Sequence, residues 1–206
     1  MRPPSRRRLR HAGLPPIRGD EDLSVLIVRA ADGDAAAEAA FVARTIDDVW
    51  RFCAHLVGPG QADDATQAAY VRALRSLGSF RGDSSARTWL LGVARNTCLD
   101  ERRSLARRMR LLERITSQPI DALDRADHPH GQVELDELLA ALDPDRREAF
   151  VLTQVLGFPY EEAAIAVGCP VGTIRSRVAR ARRDLLAMVG DAEAGAADEP
   201  VRFHTA

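Results

Sequence analysis

The chain has 206 residues, 46% hydrophobic but only 5% aromatic; alanine and leucine dominate, which predicts a mainly helical protein of one ordinary domain or two small ones. Its 29 cationic side chains are all arginine and nearly balance 30 acids, leaving a net charge of −1. The signs are segregated, with acids frequent in 121–148 and arginines in 102–114 and 175–183, so a nucleic-acid-binding patch is not excluded, whereas no run is apolar for long enough to cross a membrane and insertion is not expected.

Residues 1–20, rich in arginine and proline without periodicity, read as a disordered basic extension. Ser5-Arg6-Arg7-Arg8-Leu9-Arg10 has the outline of a twin-arginine export signal, but Pro15, Pro16, Arg18 and Asp20 occupy the place of its apolar region. A cytoplasmic protein is therefore expected. Helical pattern begins near Asp22 with Leu23, Leu26, Ile27 and Ala30 at helical spacing. Gly33 breaks it and Asp34 is placed to cap a second helix, whose buried side is expected to carry Ala40, Phe41, Ile46, Val49, Trp50 and Cys53 up to about Val57. Gly58-Pro59-Gly60 is a strong breaker. A third helix is expected from near Asp63 to about Leu77, with Asp63 and Asp64 in its first turn, where carboxylates oppose the positive helix end. Asp64, Gln67 and Val71 recur at three and four residues and share one face. On its own that face is an ordinary solvated one.

A glycine- and serine-rich loop, Phe80-Arg81-Gly82-Asp83-Ser84-Ser85, then enters a long helix with Leu90, Val93, Ala94 and Thr97 as its inner stripe. Arg95, Asn96, Leu99, Arg102 and Arg103 are placed away from that stripe, and core packing is the expected role of Trp89. Residues 106–132 read as a linker, in which His128 and His130 lack a third metal ligand. A second domain is expected over 133–190, with Leu135, Leu138, Leu139 and Leu142 lining one helix and Ala149, Phe150, Thr153 and Leu156 the next. The last residues, 191–206, read as a disordered tail. Cys53, Cys98 and Cys169 form no C-x-x-C and no metal-ligand spacing. Reduced, buried thiols are the expectation, a thiol sensor the lesser alternative, and no cofactor or metal is indicated.

The segment Phe158–Leu186 reads as helix, tight turn, helix. Gly168 can take the positive φ of the turn, and Pro170 stops the first helix. The second helix buries Ile174, Val178, Ala181 and Leu185, one stripe at period 3.6. The opposite face presents Arg175, Ser176, Ala179, Arg180 and Arg183, and from Val171 to Arg183 there are five arginines and no acid. A cationic face opposite a packing stripe, on the second helix of a helix-turn-helix, suits the DNA major groove, and forked guanidinium donors fit guanine edges and phosphates. Arg177 and Arg182 lie nearer the stripe, where they can reach phosphates or acids of neighbouring helices.

The run Cys169-Pro170-Val171-Gly172-Thr173-Ile174-Arg175-Ser176-Arg177-Val178, preceded by Gly157-Phe158-Pro159-Tyr160-Glu161-Glu162-Ala163-Ala164, resembles the recognition helix-turn-helix of bacterial sigma factors of the extracytoplasmic-function group. Pro159 stands where the family usually has a serine or threonine cap. Ala62–Tyr70 is similar to the region 2.2 segment that grips the clamp helices of RNA polymerase, with Ala68 and Tyr70 in place of the usual glutamate and phenylalanine. Phe80–Leu90 and the helix after it are similar to regions 2.3 and 2.4, which open the −10 element. The resemblance implies two small all-helical domains, 21–105 and 133–190, joined by a flexible linker. It implies core RNA polymerase (clamp helices and flap) and promoter DNA as partners, and allows an anti-sigma factor, which the sequence itself leaves open. It assigns polymerase binding to Asp63, Asp64, Gln67 and Tyr70, and −10 recognition to Phe80, Ser84, Ser85, Arg87 and Asn96, the asparagine amide being suited to read a flipped base. It adds Thr173 to the −35 face of Arg175, Ser176, Ala179, Arg180 and Arg183.

Two other classes are disfavoured. A response-regulator-type activator with a C-terminal helix-turn-helix would need an α/β receiver, and 21–105 shows no strand alternation. No Ser/His/Asp set, P-loop or dinucleotide turn can be assembled for an enzyme.

Overall fold

A computed structural model describes residues 22–116 and 132–197 of the chain. Among the described residues there is no strand. Helix α1 (Leu23–Ala31) starts where the Asp22 carboxylate accepts from the Ser24 N–H, and it buries Leu26, Ile27 and Ala30. Asp34 caps α2 (Ala35–Val57) by accepting from the Ala36 and Ala37 N–H groups. The same carboxylate pairs with Arg29 at 2.7 Å, and that guanidinium, ahead of the cap bonds, holds it below the ordinary carboxylate range. α2 buries Phe41, Thr45, Val49, Phe52, Cys53 and Leu56. Ile46 and Trp50, expected inside, are exposed, because both lie off the side of the helix that these residues share.

Helix α3 (Pro59–Arg75) begins a full turn earlier than the sequence pattern suggests. Gly58, at φ 89°, ends α2 and turns the chain at once. Pro59 then takes the first helical position, where its missing N–H and fixed φ cost nothing. Asp63 is therefore inside α3 rather than in its first turn, and it accepts a 2.7 Å hydrogen bond from the Trp50 indole N–H across the α2–α3 corner. A short 3₁₀ turn, Leu77–Ser79, leads to the loop before α4 (Ala86–Thr116). α4 buries Leu90, Leu91, Ala94, Thr97 and Cys98, and it runs on to Thr116, into the segment read from sequence as linker.

The second group is α5 (Gln132–Ala141), α6 (Pro144–Phe150), α7 (Tyr160–Val167) and α8 (Val171–Ala197). Asp143 caps α6 through the Asp145 and Arg146 N–H groups, and α6 passes into one π-helical turn, Val151–Val155. Leu139 and Leu142 are buried, whereas Leu135, expected beside them, is exposed. Pro159 stands just before α7, which has no side-chain cap, and Gly168 ends it at φ 74°, ψ 40°. α8 is helical to Ala197, beyond the boundary expected at 190. The N-terminal extension, residues 117–131 and the end of the tail lie outside the described residues.

The buried apolar residues of both groups join in one cluster, from Leu26 in α1 to Ala181 in α8. The two groups meet mainly where α4 packs on α7: a methyl added at Gly92 would sit 3.6 Å from the Ala166 carbonyl oxygen. In the first group, Phe52 is fully buried. Phe52→Ala is expected to cost about 3–5 kcal/mol, read as a lower urea midpoint with an unchanged helical far-UV spectrum in the absence of denaturant.

Candidate nucleic-acid and polymerase interfaces

The α7–α8 unit matches the helix-turn-helix expectation closely. Ile174, Val178 and Ala181 are buried and Leu185 is half-buried. Arg175, Ala179, Arg180 and Arg183 are exposed on the opposite side, with Thr173 and Ser176 half-exposed between them. Among the described residues Arg180 and Arg183 have no ion-pair partner, and Arg175 only grazes Glu161 at 3.5 Å with both groups in solvent, a contact that contributes little. Three guanidinium groups are thus available on one face. The edge arginines are engaged with neighbouring helices: Arg177 pairs with Asp145 on α6, and Arg182 donates to the Gln154 side-chain oxygen at 2.6 Å.

On α3 the expected face is present as a shallow depression lined by Asp64, Gln67, Ala68, Val71, Arg72 and Arg75. Asp63 is exposed beside it. Tyr70 is not on this face. It is buried, with its hydroxyl 2.8 Å from Thr45 Oγ1, and burial pushes its hydroxyl up to about 12. Its spacing places it with Ala62, Thr66, Ala69 and Ala73 on the inward side of α3, so the polymerase-contact assignment of Tyr70 is corrected to a core role.

Of the residues expected to handle the −10 strand, Phe80, Ser84, Ser85 and Arg87 lie at or just before the start of α4, whereas Asn96 is ten residues into the helix. Phe80 and Trp89 meet edge to face, centroids 5.9 Å apart, and both are half-buried. Ser84 is half-buried, and Asn96 is exposed. Ser85 and Arg87 are held by the second helical group. Glu162, on α7, accepts from the Ser85 hydroxyl at 2.9 Å and from the Thr88 hydroxyl. Arg87 pairs with Asp48 at 2.7 Å, donates to the Leu156 carbonyl at 3.2 Å, and lies 4.2 Å over the Phe158 ring.

A second set of contacts joins the groups below this one. Arg95 forks onto Glu148, at 2.5 and 3.2 Å, with the carboxylate only 4% exposed. Burial raises the Glu148 carboxyl and Arg95 opposes that rise. Arg147 donates to the His55 carbonyl at 3.3 Å. Sequence spacing placed Arg95 on the solvent side and singled out neither Glu148 nor Glu162. Glu148 carries a sequence signal only in retrospect, as an acid followed by a run in which Ala149, Val151, Leu152 and Thr153 are buried.

Among the described residues no group of histidine, cysteine and acidic side chains could hold a metal ion, and no helix is long and apolar enough to cross a membrane.

Two family models match: Sigma-70 region 2 over residues 41–108 and Sigma-70 region 4 over 132–185. The ECF RNA polymerase sigma factor SigC of Mycobacterium tuberculosis is 46% identical over 171 residues, covering 82% of this chain and 91% of that protein. The ECF RNA polymerase sigma-E factor of Escherichia coli is 34% identical over 170 residues, covering 77% and 89%. Among solved structures, the sigma factor RpoE of Bartonella quintana in complex with the anti-sigma factor NepR superposes with a TM-score of 0.60 at 28% identity, covering 72% of this chain and 94% of that one. CnrH in complex with the cytosolic domain of CnrY gives a TM-score of 0.61 at 26% identity, covering 81% and 96%.

Arg95→Ala would leave the Glu148 carboxylate buried without its partner, a change that costs about 3–5 kcal/mol when nothing relaxes. Separating the helical groups returns Glu148 to water, so the expected outcome is opening rather than unfolding. Small-angle scattering should show a larger radius of gyration for Arg95→Ala, with helix content retained.

Proposed function

We infer, for a chain that belongs to the extracytoplasmic-function sigma factors of RNA polymerase and so directs promoter-specific transcription initiation, that α3 docks core polymerase, the start of α4 reads and melts the −10 element, and α8 enters the −35 major groove. The observation that carries this division is the outward face of α8. It holds Arg175, Arg180 and Arg183 in solvent, opposite the buried Ile174, Val178 and Ala181, immediately after the left-handed turn at Gly168. Thr173 and Ser176 sit at its near edge, and Ala179 offers a methyl that suits a thymine.

On α3, Asp63, Asp64 and Gln67 supply the polar contacts to the polymerase clamp, with Val71 as their apolar neighbour. In the −10 set, Asn96 has the amide to read a base edge, and Phe80, Ser84, Ser85 and Arg87 wall the approach. Ser85 and Arg87 are engaged by Glu162, Leu156 and Phe158 in this arrangement, so the second group has to move off the start of α4 before single-stranded DNA can reach them. The protein works in the cytoplasm, without catalysis of its own. An anti-sigma factor is a further partner, a reading supported by the complex of RpoE with the anti-sigma factor NepR.

Run-off transcription with core polymerase tests the whole reading: a specific transcript appears only with the chain added, and its absence from every bound promoter would overturn it. Replacing Asp64 and Gln67 together by alanine should weaken capture of core polymerase at least tenfold while the isolated chain keeps its helix content. Equal capture by the parent and the variant would remove α3 from the interface.

On a library of −35 duplexes, Arg175→Ala and Arg180→Ala should each change preference at a particular base, by about 1–3 kcal/mol of discrimination. Arg182→Ala should weaken all sequences alike and lower the salt slope by about one unit. A uniform loss for Arg175→Ala and Arg180→Ala would turn both into phosphate contacts.

A further inference from the structure

Two of the three cysteines, distant in sequence, meet inside the first helical group. Cys53 on α2 and Cys98 on α4 are both fully buried, with their sulfur atoms 3.5 Å apart. The pair has a direction. The Cys98 S–H points at the Cys53 sulfur. The Thr66 hydroxyl on α3 is buried and has no hydrogen-bond partner among the described residues. The neighbouring Cys98 thiol, donating to it, favours the Cys53 thiolate and holds Cys53 below its ordinary range, while Cys98 is pushed up. Core packing alone would not require the two sulfurs to approach each other. Cys169, by contrast, is half-exposed in the α7–α8 turn.

We propose that Cys53 and Cys98 form a dithiol–disulfide couple, a reversible oxidation site that ties α2 to α4, with hydrogen peroxide as a sufficient oxidant. The Cys53 thiolate attacks one peroxide oxygen. The O–O bond breaks, the sulfur becomes a sulfenic acid, and the leaving hydroxide takes the proton lost from Cys53 to become water. The Cys98 sulfur then attacks the sulfenic sulfur, the S–O bond breaks, and the departing hydroxide takes the Cys98 proton as a second water. Two thiols and one peroxide thus give one disulfide and two waters. The sulfurs must close from 3.5 Å to about 2 Å. Because both are buried, peroxide reaches them when α4 loosens from α2, and this opening sets the rate. The cross-link spans 45 positions of sequence, a loop that contains the whole of α3 and the segment leading into α4.

The test uses the full chain with Cys169→Ala, which removes the accessible thiol and keeps the pair. The protein is treated with hydrogen peroxide, unfolded, alkylated and weighed intact. The expected result is a loss of two hydrogens with no alkylation, a Cys53–Cys98 cross-linked peptide after digestion, and recovery of both alkylatable thiols with dithiothreitol. Adding Cys98→Ala should leave Cys53 as a sulfenic acid that dimedone captures, and adding Cys53→Ala should abolish capture. Full alkylation of both cysteines after peroxide, or oxidation of either beyond the disulfide with no cross-link, would overturn the proposal. Should an alanine variant not fold, the cross-linked peptide from the parent pair decides the matter alone.

Discussion

The arrangement depends on one ion pair. Arg95 and Glu148 come from different helical groups, and the carboxylate has almost no access to water. A buried charge is stable only while its partner stays in place, so this pair fixes the register of α4 against α6 more firmly than apolar contact can. The small residues Gly92 and Ala166 allow α4 and α7 to approach beside it. The hydrogen bonds from Ser85 and Thr88 to Glu162, and from Arg87 to the Leu156 carbonyl, are made only in that register. Apolar burial supplies the bulk of the attraction and the polar contacts decide where it is applied.

Much of this was legible in the chain. The buried stripe of α8, the left-handed Gly168 and the cap at Asp34 follow from helical periodicity and the backbone freedom of single residues, which are local properties. The errors share a different cause. Ile46 and Trp50 are apolar but lie to one side of α2, and only the position of α3 determines which side is covered. Pro59 opens α3 rather than separating two helices, because Gly58 alone makes the turn and sequence counts the triplet as one breaker. Tyr70 occupies a motif position close to Gln67, yet its side of α3 turns inward and its hydroxyl meets Thr45 across the helix pair. Arg95 and Glu148 are 53 positions apart, and no local pattern can show that two charges will be buried together.

The arginine-only composition takes on meaning beside these contacts. Arg87 makes an ion pair, a carbonyl hydrogen bond and a ring contact at once, and Arg95 grips both oxygens of one carboxylate. A planar fork with several donors can do this and an ammonium group cannot. The same chemistry serves packing between helices on the inner side and leaves three guanidinium groups for a ligand on the outer face of α8.

The 31 residues of α4 form a rod about 46 Å long, and the chain from Thr116 to Gln132 can span at most about 55 Å when fully extended. Once the two helical groups separate, each remains confined within reach of the other. Reassociation is therefore intramolecular and does not depend on the concentration of the chain. Contacts too weak to join two free domains at cellular concentrations suffice here, and any ligand of the start of α4 must compete with a local excess of the chain's own α7. The length of the tether thereby enters the apparent affinity for DNA without touching it.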